Sequence, residues 1–326
     1  MASETQVKGG AQQRSGAYAG LVQWLETLND AQFAYLLLAP VFILLGIIAF
    51  WPLASTFVIS LHADSLRSAA QVGEFVGFRN YVALLTGQLA TVALPQPFFD
   101  LSRPFQSALI VTAIFTVVSV FFETIIGFGQ ALVLDQDFRG RRWVRVAIIL
   151  PWAVPLVIQG MIFYLLFQPG LGVGADLLNS YGFSQTPLVN SSEALALVIV
   201  ADVWKTTAFM ALLILAGLQS IDRNLYDVAR VAGASKWQQF KMITFPLVLP
   251  TVLVALLFRT LAAAKVYGLI ETMTGCTTVP SLSCLVVTTF SSRRYGTAAA
   301  VAFVTAIIIG AIVSIYAVKY YRGEVS

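Results

Sequence analysis

Leu225-Tyr226-Asp227-Val228-Ala229-Arg230-Val231-Ala232-Gly233-Ala234, followed by Phe240, Ile243, Phe245-Pro246 and Pro250, lies between two long apolar runs. Leu225, Val228, Ala229 and Ala232 recur at i, i+3, i+4 and i+7, so one face of a helix is apolar. Asp227 and Arg230 lie off that stripe. Gly233 can take φ > 0 and end the helix, and Ser235 can cap the next by accepting a backbone N–H. Trp237, Phe240 and Ile243 or Thr244 supply a second apolar face. Pro246 is expected to end this surface helix and start a membrane span. Crossing a bilayer requires no such helix–turn–helix. Either it lies on the membrane as an amphipathic loop, or it presents a rigid knob to a cytoplasmic partner.

The flanking runs identify the solvent. Hydrophobic residues make up 58% of the 326, charged residues only 11%, and mean hydropathy is +0.81. Soluble domains are about a quarter charged, so the surplus apolar surface implies lipid. A net charge of +4 invites a nucleic-acid reading. The basic residues sit beside apolar runs instead of forming a soluble patch, which excludes it. Two cysteines and one histidine are too few for a metal centre or a histidine-based triad. The polar N-terminus has no apolar h-region and reads as a cytoplasmic tail, not a cleaved signal, with a short helix around 18–28.

A span takes roughly 20 apolar residues. Six candidates are residues 33–61, 105–134, 143–167, 194–218, 246–270 and 297–320. They are too long and lack the alternation for a strand barrel. With the N-terminus inside, Arg139, Arg141, Arg142, Arg145, Arg223, Arg230, Lys236, Lys241, Lys319, Arg322, Lys8 and Arg14 lie on the inner side. Arg67, Arg79, Arg103, Arg293 and Arg294 lie outside, and this excess places both termini inside. The domain map is then a tail (1–32), a six-span all-α domain (33–320) with an outer loop (62–104) and an inner loop (219–245), and a short tail (321–326).

The inner loop resembles the EAA loop of binding-protein-dependent ABC importer permeases, whose motif runs Glu-Ala-Ala, two residues, Asp-Gly-Ala, then Phe, Ile and Leu-Pro. Asp227-Val228-Ala229 stands for Glu-Ala-Ala, Gly233-Ala234 for Gly-Ala, and Phe240, Ile243 and Phe245-Pro246 for the tail. Asp227 replaces the usual Glu and Ala232 the usual Asp. These departures keep the helix–Gly–helix shape and weaken any ion pair with an ATPase. Leu38-Ala39-Pro40, Val76-Gly77-Phe78-Arg79-Asn80-Tyr81 and Val203-Trp204-Lys205-Thr206-Thr207 resemble the MalF-type, carbohydrate-uptake branch. The resemblance implies the type I importer permease fold. It also implies ATPase coupling through Asp227, Ala229, Arg230, Gly233, Ala234, Phe240 and Pro246. Implied partners are a second, homologous but distinct permease, a cytoplasmic ATPase dimer, an extracytoplasmic solute-binding protein and a carbohydrate. The sequence holds no Gly-x-x-x-x-Gly-Lys-Ser/Thr phosphate loop, so hydrolysis falls to another chain and no cofactor is expected.

Glu123, Asp202, Lys205, Arg259 and Lys265 fall inside predicted spans. A charge at the bilayer centre costs about 2.5–3.5 kcal/mol on insertion scales, so each should face a partner or water. Asp202 and Lys205, at i and i+3, either neutralise each other or line a path that bonds sugar hydroxyls. Glu123 with Arg259 is a second candidate pair. Lys265 either lines the path or snorkels to the outer interface. Tyr164, Trp204, Phe209 and Tyr267, with Phe163, either pack as an interfacial belt or stack on sugar rings. Tyr164, Trp204, Lys205, Phe209, Arg259 and Tyr267 are thus the candidate path residues. Pro151 and Pro155 are expected to bend or break the third span. Cys276 and Cys284, in the outer loop after span five, suit a small disulfide-closed loop or stay as free thiols. His62 reads as a surface residue.

These observations converge on an all-α, six-span permease subunit of an ATP-driven importer. The expected cargo is a disaccharide or oligosaccharide such as trehalose or maltose. A permease for glycerol-3-phosphate or another polyol would want unpaired cations such as Arg259 or Lys265. A self-contained secondary transporter would want inverted repeats, and would leave the knob without a role. No nucleophile–base pair appears in the spans, so no enzyme is expected.

Overall fold

The computed structural model describes residues 24, 25, 27–65, 72–88 and 94–324. These are helical, with one isolated antiparallel bridge, His62 to Phe75, as the sole extended pairing among the described residues. The chain divides after Thr56 into two compact units. Most of the 1–32 tail, including most of the helix expected around 18–28, lies outside the described residues, as does Arg67.

The N-terminal unit carries most of α1 (Asp30–Ser60). Its start is a capping box: the Asn29 side chain accepts the Gln32 N–H, and the Gln32 side chain accepts the Asn29 N–H. The helix contains Pro40 and widens into a π turn at Gly46–Phe50.

The second unit holds α2 (Arg79–Leu85), α3 (Ala108–Asp135), α4 (Arg141–Ala153), α5 (Leu156–Phe167), α6 (Val173–Ser180), α7 (Ser191–Gln219), α8 (Asn224–Val231), α9 (Lys236–Ala263), α10 (Gly268–Met273), α11 (Leu282–Ser291) and α12 (Tyr295–Glu324). The helices α1, α3, α7, α9 and α12 are each long and apolar enough to cross a membrane, and the α4–α5 pair adds a sixth when its two bent helices count as one broken span. The third span is two helices bent by 92°, the break expected of its prolines. Two expectations on span ends are corrected. The fifth span begins in the surface segment and ends at Ala263, with residues 268–273 in the separate α10. The sixth continues helically to Glu324, into the region expected to be a tail.

The break follows from proline chemistry. Pro155 has no N–H and disfavours helical geometry in the residue before it. Val154 is accordingly extended, at φ −69° and ψ 128°. Pro151 is accommodated inside α4 and does not break it.

α3 lies along α7, with α9 against both. Glycine permits the closest approach: a Cβ on Gly127 of α3 would meet the Met210 Cβ of α7 at 2.8 Å. Three buried clusters follow the bundle axis. The first joins α3, α7 and α10 through Phe115, Val198, Ile270 and Met273. The second lies at the end of the bundle next to the 219–245 segment, where Leu134, Ile214, Leu218 and Val248 meet. The third seats the outer segments on α11 and α12 through Leu84, Phe98, Leu285 and Val301.

The Val76–Tyr81 stretch locks the outer surface. Asn80 Nδ2 donates to the Ser60 and His62 carbonyls, each at 2.8 Å, and the Tyr81 and Ser60 hydroxyls meet at 2.5 Å. Asp64 accepts the Thr297 N–H at 2.9 Å and its hydroxyl at 2.7 Å, which satisfies a donor at the start of α12. His62 takes part in this outer cluster, its Nδ1 lying 2.7 Å from the Val58 carbonyl.

Candidate coupling site and translocation path

The knob between the fourth and fifth spans is α8, a glycine turn, and the first turns of α9. Gly233 sits at φ 82°, in the left-handed region that a Cβ disfavours. The Ala234 N–H reaches the Ala229 carbonyl at 2.9 Å, and the Gly233 N–H reaches the Arg230 carbonyl at 3.0 Å. This is a Schellman close, which satisfies the last carbonyls of α8. Ser235 then opens α9 with a capping box to Gln238.

Pro246 does not end the surface helix, contrary to the expectation from sequence. One helix runs from Lys236 to Ala263 through a π turn at Phe240–Thr244. In that widened turn the Phe245 N–H reaches the Phe240 carbonyl, just before a residue with no N–H to give.

Two side-chain links fix α8 to the bundle. Arg223 donates to the Asp135 carboxylate of α3 at 2.6 Å, and this bond raises the Arg223 pKa above its ordinary value. The Tyr226 hydroxyl lies 2.9 Å from Thr244 Oγ1. Phe240 stacks on Trp237, with ring centroids 5.5 Å apart, and meets Phe128 of α3 edge-on at 5.8 Å. The apolar stripe therefore divides. Tyr226 and Ala229 turn towards the bundle, whereas Leu225, Val228 and Val231 point to solvent, the last at 91% exposure. Asp227 and Arg230 pair with each other on the exposed surface, a contact of about 0–1 kcal/mol.

Further into the membrane, the expected Asp202–Lys205 pair is not formed. Asp202 bonds instead to Arg259, which also grips Glu123 through two nitrogens. Thr206 adds a hydrogen bond to Glu123 at 2.6 Å. Helices α3, α7 and α9 thus meet at one cation, with Arg259 only 5% exposed. Arg259 is therefore not the unpaired cation that a phosphate path would require. The Glu123–Arg259 pair is present, extended to a triad that sequence spacing within α7 could not reveal.

Lys205 has another partner. Its ammonium donates at 2.6 Å to the Val154 carbonyl, at the break of the third span. The neighbouring Gln159 donates to the Ala201 carbonyl at 2.5 Å, so the break and α5 are each tied to α7 by one hydrogen bond. Phe209, on the Lys205 side of α7, lies 6.4 Å from Trp152, and Trp204 meets Phe163 edge-on at 5.6 Å. Trp204 and Tyr164 are exposed, and Phe209 and Tyr267 half-buried, the latter at the start of α10. Sequence reading missed Trp152, Thr206, Gln159 and the Val154 carbonyl. Pro155 was the available signal for the last.

Cys276 and Cys284 are bonded, with Cα atoms 5.5 Å apart. The surrounding segment is not an open loop. Cys276 follows a turn at Gly275 and gives its N–H to Glu271 at 3.1 Å, while Cys284 lies in α11, whose first turn Ser281 caps.

Residues 123–322 match the family described as binding-protein-dependent transport system inner membrane component. The chain is 34% identical to the trehalose/maltose transport system permease protein MalF of Thermococcus litoralis, over 88% of this chain and 93% of that one. It is 37% identical to the sulfoquinovosyl glycerol transport system permease protein SmoG of Agrobacterium fabrum, over 78% and 77%. Among solved structures it resembles a chain of a bacterial ABC transporter that imports the acidic polysaccharide alginate. The TM-score is 0.72 at 22% identity, over 93% of this chain and 99% of that one. The candidate crossings, the family match and this shared architecture agree, and the chain belongs to the family of inner-membrane components of binding-protein-dependent transport systems, as a transport permease and not an enzyme.

Proposed function

We propose that the chain is one of two homologous but distinct permeases in an ATP-driven importer and forms half of the path for a carbohydrate. In this reading α8 seats in a cleft of a separate cytoplasmic ATPase, and an extracytoplasmic binding protein delivers the cargo. The observation that carries it is the pairing of anchorage with exposure. α8 is bound to α3 and α9 through Arg223–Asp135 and Tyr226–Thr244, yet turns Leu225, Val228 and Val231 to solvent. A rigid apolar ridge on a short helix suits a groove in another protein. Displacement of that ridge would pass directly to two spans.

The cargo assignment rests on chemistry and likeness together. Lys205, Trp152, Trp204 and Phe209 combine ring faces with a donor near the break, the recipe of a pocket for a sugar. The relatives named above include a trehalose/maltose permease, and a trehalose transport system permease protein of Mycobacterium tuberculosis is 32% identical over 76% of this chain. A disaccharide such as trehalose or maltose is the proposed cargo. Arg259, one of the two cations that a glycerol-3-phosphate path would use, is already bound to two carboxylates.

Reconstitution with the two other membrane-side subunits and the binding protein tests this. Labelled trehalose or maltose should enter proteoliposomes only with ATP on the ATPase side. Entry without ATP, or ATP-driven entry of glycerol-3-phosphate in preference to either sugar, would contradict it.

A further inference from the structure

Between α9, α11 and α12 lies an open groove of about 600 Å³. Leu261, Val286, Ala306, Ile309 and Val313 make its walls apolar, and Lys265 and Ser283 add an ammonium and a hydroxyl to the lining. Lys265 is exposed and forms no ion pair among the described residues.

The depth of the groove follows from helix geometry. At about 1.5 Å per residue, Ala263 stands about 26 Å above Pro246, the cytoplasmic start of the apolar part of α9. A hydrocarbon core of about 30 Å then puts Lys265 near the outer boundary. Along α12 the lining runs from Ala302 to Val313, about 17 Å by the same rise, or one leaflet. An ammonium at headgroup level thus stands over an apolar slot as deep as an acyl chain is long.

We propose that an anionic phospholipid of the outer leaflet occupies this groove, its phosphate on the Lys265 ammonium and the Ser283 hydroxyl, and an acyl chain against Ala306, Ile309 and Val313. The charge is complementary, and the walls offer a sugar too few hydroxyl partners to compete. A purely apolar helix of another subunit would cover the walls but leave the ammonium without a counter-charge. The proposal is independent of the cargo and of the coupling reading.

The test uses the membrane-extracted complex, exchanged into nanodiscs of phosphatidylcholine with a minor fraction of phosphatidylglycerol. Native mass spectrometry then counts the lipids retained. Phosphatidylglycerol should remain, enriched over its fraction in the disc. Lys265→Gln should weaken its retention about five-fold, the worth of one cation at a charged lipid surface. Ala306→Trp should also displace it, by filling the groove while leaving Lys265 in place. Unchanged retention in both variants would overturn the proposal. So would a disulfide cross-link from Ala306→Cys to a helix of the second permease.

Discussion

Arg259 stands on α9 and binds Glu123 of α3 and Asp202 of α7, so three spans share one cation. Removing it leaves two carboxylates facing each other in a buried site. Breaking such a group costs about 3–5 kcal/mol. Arg259→Leu should therefore lower the thermal midpoint of the detergent-solubilised protein markedly. Arg259→Lys should recover only part, because an ammonium lacks the planar fork that grips Glu123 twice. A midpoint unchanged in Arg259→Leu would mean that the triad holds nothing together. The sequence offered Asp202–Lys205 as an equally good pair, since i and i+3 are neighbours on a helix. Spacing cannot weigh a partner arriving from another helix, or a carbonyl released by a proline. Gly233 was legible for the opposite reason: its left-handed φ depends on its own backbone. Gly233→Val should insert normally but lose solute uptake, because a β-branched residue is strained at φ 82°. Full uptake by that variant would remove the turn from the account.

At the scale of elements, the third span is governed by Pro155. The broken helix leaves the Val154 carbonyl without a helical donor, and the Lys205 ammonium supplies one. Lys205→Leu should destabilise the protein by about 1–3 kcal/mol, the cost of a buried polar group left unpaired. Denaturant titration measures this, and a stability equal to the parent would show that water serves the carbonyl equally well. The long spans were visible in composition alone, since about twenty apolar residues in a row admit few other readings. Where they end was less visible. The fifth span passes through Pro246 because a π turn precedes it, and it stops at Ala263 although apolar residues continue to Ile270. Periodicity records hydrophobicity, not the turn that redirects the chain into α10. The Cys276–Cys284 bond closes the turn between α10 and α11. Replacing both with serine should loosen this segment by about 2–3 kcal/mol in the loop-entropy account. Faster amide hydrogen exchange across 274–285 would report it, and unchanged exchange would mean that the Ser281 and Glu271 hydrogen bonds suffice.

For the whole molecule, the sequence already pointed outward: six apolar runs, an inner-face helix–Gly–helix, and no phosphate loop. Its class was legible because membrane spans and a glycine turn are local properties. The path was less so, because its residues lie on helices whose rotation is set by packing. Trp152 shows this: nothing in α4 alone says that its ring meets Phe209 of α7. The knob joins both scales. Its Schellman turn and cap are local, while its hold on Asp135 and Thr244 makes any push on α8 a push on α3 and α9. The central claim is that this ridge receives the ATPase. It is tested most directly by affinity purification of the tagged chain from its native membrane, beside a Val228→Arg/Val231→Arg variant. Both positions are exposed, so the variant should fold and insert as the parent does. The account predicts that the parent brings down an ATPase, a second permease and a binding protein, and that the variant keeps the second permease but loses the ATPase. An ATPase recovered equally with both would contradict it.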